Sequence, residues 1–236
     1  MNLTKNKVHR LVFTASAALL LAFGSIMAYF TSTDEITNKF VGSRFDVTLT
    51  ETNWNPKSAL SVVPGDELFK NPQVTNNERT DAYVFLRVTV PGAVMMVDKN
   101  DGSAQESTKI AVPLYKFMVN VTGDHYEADS TYSSDQKVNS TWKIVNNPVY
   151  DEEKKQFVYV YAYSDGSYLI PLKKGDTTSA LFDKLQLWNF NEEFDPSGTQ
   201  FSQNVRVEAL GIQANLPGHE SDDINEIWQI LSGEGG

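Results

Sequence analysis

The chain has 236 residues, of which 41 % are hydrophobic and 21 % charged, with no cysteine and a formal net charge of −10. That composition belongs to a globular protein with a real core and excludes wholesale disorder, a collagen-like fibre and a multi-span membrane protein. With no thiols there is no disulfide scaffold, thiolate zinc site or cysteine nucleophile, and the acidic balance excludes nucleic acid as a natural partner.

Residues 1–28 form the first element. Lys5, Lys7 and Arg10 make a positive region, Leu11 to Phe23 are uncharged and mostly apolar, and Gly24 to Ala28 close the segment. This is the layout of a secretory signal peptide, with cleavage expected between Ala28 and Tyr29, although Ile26 is larger than the small residue usual at the third position before the cut. An uncleaved anchor is the alternative, for which Thr31, Ser32 and Thr33 make a poor bilayer span. Membrane contact is therefore expected only transiently, through the leader, and the product is expected to be secreted. Removing the leader leaves 17 Lys+Arg against 30 Asp+Glu, a net charge of −13. Residues 29–40 follow as a mature N-terminal segment, and 41–236 are expected to form one domain.

From Phe40 to Gln213 the pattern has period two, the mark of half-buried strands. Phe45, Val47 and Leu49 alternate with polar residues. Val84, Leu86, Val88 and Val90 share one face, and Tyr115, Phe117, Val119 and Val121 another. The run 157–163 puts Phe157, Tyr159, Tyr161 and Tyr163 on one side and Val158, Val160 and Ala162 on the other. Further strands are expected near 143–146, 168–172, 185–190 and 205–212. Val63-Pro64-Gly65-Asp66 fits a type II turn and Asp165-Gly166 a hairpin corner, while 98–108 and 122–140 read as long surface loops. One helix is expected at about 221–232. Ser221 would cap it, Asp222 and Asp223 would sit in its first turn, and Ile224, Ile227, Trp228 and Leu231 would form its apolar stripe. The sum is an all-β protein, a jelly-roll-like antiparallel sandwich with long loops and one short C-terminal helix.

Catalytic chemistry is sparse after residue 28. The two histidines there, His125 and His219, stand in polar surroundings, and no Gly-x-Ser-x-Gly elbow accompanies them. His219-Glu220 opens like a zinc-protease helix, but the second histidine one turn later is missing. Asp98, Asn100, Asp101, Gly102 and Glu106 look like a calcium loop with its glycine one place early, so no cofactor is assigned and calcium stays open as the alternative. The neighbouring pairs Glu152-Glu153 and Glu192-Glu193 would point to opposite faces of a strand, which is wrong for a glycosidase. Asn120-Val-Thr and Asn139-Ser-Thr match the glycosylation triplet, a frequent chance pattern. The aromatic row 157–163 is either sheet packing or a carbohydrate platform. No catalytic, cofactor or metal residue is assigned.

Several segments together resemble one family. They are Ser25-Ile-Met-Ala-Tyr-Phe30, Asp34 to Phe40 leading into Phe45-Asp-Val-Thr-Leu-Thr-Glu51, and Pro64-Gly-Asp66 through Lys70-Asn-Pro-Gln-Val-Thr-Asn76 into Ala82-Tyr-Val-Phe-Leu-Arg-Val88. In the C-terminal half, Gly175-Asp-Thr-Thr178 before Leu181-Phe182, and Val205 to Ala214 before the Trp228 helix, agree. The chain resembles the TasA/camelysin-like proteins, exported by Gram-positive bacteria and processed by a SipW-type signal peptidase. The resemblance implies a jelly-roll sandwich and a non-enzymatic biofilm-matrix role, in which subunits assemble into fibres by lending an N-terminal strand to a neighbour. Here that assembly strand is Tyr29 to Phe40, with Tyr29, Phe30, Ile36 and Phe40 as its apolar residues. The partners implied are identical or related subunits and the signal peptidase. Two alternatives stay open: a monomeric glycan-binding surface module, and a camelysin-like metalloprotease, which the missing zinc helix disfavours.

Overall fold

The computed structural model describes residues 46–51, 65–95, 109–129, 136–188, 205–214 and 221–233. The leader, the segment 29–40 with Ala28, Tyr29, Phe30, Ile36 and Phe40, the acidic loop 98–108, Glu192-Glu193 and His219 lie outside the described residues. Eleven strands are described: β1 (Val47–Glu51), β2 (Glu67–Phe69), β3 (Pro72–Asn76), β4 (Ala82–Met95), β5 (Ile110–Pro113), β6 (Tyr115–Thr122), β7 (His125–Glu127), β8 (Trp142–Ile144), β9 (Gln156–Tyr163), β10 (Lys184–Leu187) and β11 (Arg206–Gln213). One helix follows, α1 (Ile224–Ser232).

All the strand pairs are antiparallel. The larger layer has the order β11-β4-β9-β8, with β5 pairing the far end of β4. The facing layer has the order β2-β10-β6-β7, beside the ribbon β1-β3. Backbone bonds knit these together: Lys70 N–H to Asp183 O, Leu181 N–H to Pro72 O and Thr178 N–H to Val74 O let residues 67–76 run along residues 176–186 as one kinked pair. The fold is thus an all-β, two-layered arrangement, as the period-two pattern requires.

The two faces of β4 explain the layering. Val84, Leu86, Val88 and Val90 are fully buried against Tyr159 and Tyr161 of β9, Phe117 of β6, Leu185 of β10 and Val207 of β11. Tyr83 and Phe85 point the other way and pack with Val160, Ala162, Leu210 and the apolar stripe of α1. Phe85 meets the Trp228 ring at 5.5 Å. A strand buried on both faces reads as a near-continuous apolar run, which is how 82–90 reads.

Local differences have local reasons. The helix cap is Asp223, not Ser221: extended at φ −66° and ψ 126°, it accepts hydrogen bonds from the N–H groups of Asn225 and Glu226. Ser221 instead accepts from Asp223 N–H, so α1 starts at Ile224. The stretch 168–172 makes only isolated bridges, to Ser164, Asp223 and Ala82. The expected loop 122–140 contains β7, which folds back on β6 through Gly123 at φ +60°. Gly65 and Gly166 have the positive φ, +91° and +100°, that their expected turns demand.

Candidate functional site

The aromatic row on β9 is core. Phe157, Tyr159 and Tyr161 are at most 3 % exposed. Their rings run in series at 6.4 and 6.2 Å, and Phe117 from the facing layer lies 5.8 Å from Tyr159. Tyr163, half-buried, packs its edge on Trp142 at 5.3 Å. A sugar would need an open ring face, so the platform reading of this row is overturned.

His125 opens β7 with its side chain 65 % exposed, and its Nε2 lies 3.5 Å from Glu127 Oε1. The other carboxylate oxygen of Glu127 is held by Lys137 Nζ at 2.5 Å. The Lys137 hydrogen bond and charge, with a smaller contribution from His125, keep the Glu127 carboxyl below the usual range. Among the described residues, no three His, Asp or Glu side chains converge on one point. One exposed histidine beside a carboxylate already engaged by a lysine is not the donor set of a zinc centre. The Glu152-Glu153 pair sits on an exposed turn that Asp151 organises by accepting from the N–H groups of Glu153 and Lys154.

The feature with functional geometry is the edge formed by β1. Among the described residues its ladder partner is β3, from Val47 opposite Asn76 to Glu51 opposite Pro72, and β11 lies close by. Val47 and Leu49 fill the core, while Thr48 and Thr50 are half-buried and the strand ends on the charged Glu51. Two anchors fix it. At one end Asn77 donates its amide N–H to Asp46 O and its side chain to Thr48 Oγ1. At the other, Glu51 Oε2 lies 2.9 Å from Lys70 Nζ, with side chains 2 % and 4 % exposed. Asn76, fully buried, steadies β3 behind it by donating to Thr80 O and Leu172 O and accepting from Glu78 N–H. Neither Asn76 nor the buried ion pair stands out by spacing; both depend on residues far apart in the chain.

The outer face of the second layer carries a mixed cluster. Lys184 Nζ lies over the rings of Tyr126 at 3.7 Å and Phe69 at 4.6 Å, and pairs with Glu67 at 2.9 Å. Nearby, Lys116 stacks its amine 4.1 Å from the Trp188 ring, and burial lowers its pKa against the pull of Glu67. The three cation-over-ring contacts tie β2, β10, β6 and β7 together across the sheet.

The described residues thus form an all-β, antiparallel two-layered fold with one short helix. The camelysin metallo-endopeptidase family matches residues 3–158, about two-thirds of the chain, and the protein belongs to this TasA/camelysin-like family. Among curated proteins and among solved structures, nothing matches the chain. Among the described residues, no helix is long and apolar enough to cross a membrane.

Proposed function

We propose that this protein is a secreted, non-enzymatic surface or biofilm-matrix subunit that self-assembles into fibres by N-terminal strand exchange. The observation that supports this reading is β1, a five-residue strand that follows the segment 29–40 in the chain and whose ladder partner among the described residues is β3. In this reading the segment leaves its own subunit and adds along the open edge of the next, with Tyr29, Phe30, Ile36 and Phe40 supplying the apolar side chains. Backbone hydrogen bonds give the affinity and the alternate side chains give the register. A cysteine-free chain has no disulfide link between subunits, so in this reading inserted strands and buried apolar groups hold the fibre. The leader directs export through a SipW-type signal peptidase.

Electron microscopy of the chain starting at Tyr29, with its N-terminus confirmed by mass, is the test. Filaments are expected, and deletion of Tyr29 to Phe40 should leave folded monomers. Filaments that persist after the deletion would remove strand exchange from the account.

The family's description supports a second reading, a metallo-endopeptidase. Chelator-sensitive casein cleavage that disappears in the double variant His125→Ala, His219→Ala would establish it in place of the first.

A further inference from the structure

The edge of the larger layer opposite β11 is formed by β8. Strand β8 pairs with β9 only over Trp142–Ile144, against Tyr163–Tyr161. Beyond Ile144 a longer β8 would satisfy β9 by ordinary pairing, but would present a fresh row of unpaired N–H and C=O groups to solvent. The chain does something else. Val145 N–H donates to Val160 O, and then the side chain of Asn146 takes over the ladder. Its Oδ1 accepts from Val160 N–H at 2.7 Å, and its Nδ2 donates to Val158 O at 2.7 Å. The primary amide thus copies a peptide group, offering one acceptor and one donor to the edge of β9 while extending no strand. Pro148, which has no N–H, follows two residues later. Asp151 then exchanges both backbone bonds with Gln156, closing the start of β9. Tyr150 lies against Phe157 at 5.4 Å and holds this return segment on the sheet.

We infer that Asn146 closes the β9 edge against strand addition by a second copy of this chain. Among the backbone groups an incoming strand would bind, the Asn146 amide occupies Val160 N–H and Val158 O, and Val145 N–H occupies Val160 O.

The test compares wild type with Asn146→Leu, which keeps the volume and removes both hydrogen bonds, and Asn146→Asp, which keeps the acceptor for Val160 and removes the donor to Val158. Native-state hydrogen exchange at Val160 and sedimentation velocity are read on the full chain from Tyr29, at a concentration where the wild type sediments as a monomer. For Asn146→Leu the Val160 amide should exchange at least tenfold faster, and concentration-dependent association should appear. Asn146→Asp should keep Val160 protected and associate to an intermediate degree. Wild-type exchange in Asn146→Leu, or faster exchange with no added association, would overturn the inference. If Asn146→Leu fails to fold, association of Asn146→Asp no greater than wild type overturns it instead. Neither readout depends on filaments, so the outcome stands apart from that of the N-terminal deletion.

Discussion

Replacing Lys70 with Met leaves the Glu51 carboxylate inside the protein without the cation it faces. In the native chain the two groups are 2.9 Å apart and almost entirely screened from solvent. At an effective dielectric of about 20, Coulomb attraction at that distance is about 6 kcal/mol. Moving each ion out of water costs several kcal/mol, so the intact pair contributes little net stability. Breaking it is different, because the desolvation cost stays while the attraction goes, and the expected loss is about 3–5 kcal/mol. For a chain of this size that corresponds to a fall in Tm of about 6–20 °C. The double variant Glu51→Leu, Lys70→Met replaces both charges with apolar groups and should recover to within about 1 kcal/mol of wild type or exceed it. Urea melts of wild type, both single variants and the double variant close a thermodynamic cycle. If Lys70→Met costs under about 1 kcal/mol with an unchanged m-value, water reaches the pair and the burial argument for the β1 anchor is wrong.

Two further expectations are independent of that pair. A Cβ on Gly92 would lie 2.7 and 2.8 Å from ring carbons of Phe157 and 3.0 Å from Tyr150, so Gly92→Ala should cost about 1–3 kcal/mol of stability in the same melts; a neutral result would mean that the Phe157 ring moves aside freely. The Glu127 carboxyl, held below the ordinary value chiefly by Lys137, contributes stability that is present above the unfolded-state value and lost as pH falls through the folded one. Carbon-detected NMR titration should place its midpoint below that of an unpaired glutamate, and Lys137→Met should raise it; equal midpoints in the two proteins would refute the pairing.

The parts of the fold legible in the sequence are those where burial imposes a period. Strand β4 shows its two faces directly, because Val84, Leu86, Val88 and Val90 meet one layer while Tyr83 and Phe85 meet the helix. The helix stripe was equally plain, with Ile224, Ile227 and Leu231 buried as their spacing requires. Strands β2 and β7 were not legible, since each has three residues, too few to show a period. Choosing between Ser221 and Asp223 as cap depended on backbone dihedrals, because both residue types cap well. The aromatic row was read correctly as one face, but composition alone does not decide whether a tyrosine face meets water or a second sheet. Asn146 was invisible for a similar reason: its role exists only because β8 stops at Ile144 beside a longer neighbour.

The pairing of residues 67–76 with 176–186 closes loops of more than a hundred residues, as in the Val74 N–H bond to Thr178 Oγ1 across 104 positions. Such distant closures place the protein among slow folders of high contact order. They also set the length of the smallest autonomous piece. The family match ends at residue 158, before β10 and β11, yet β2 has its ladder with β10, and β4 needs β11 on one flank. A polypeptide cut at the end of that match would expose the inner faces of both layers and collapse, so the cooperative folding unit is longer than the family signature carried within it.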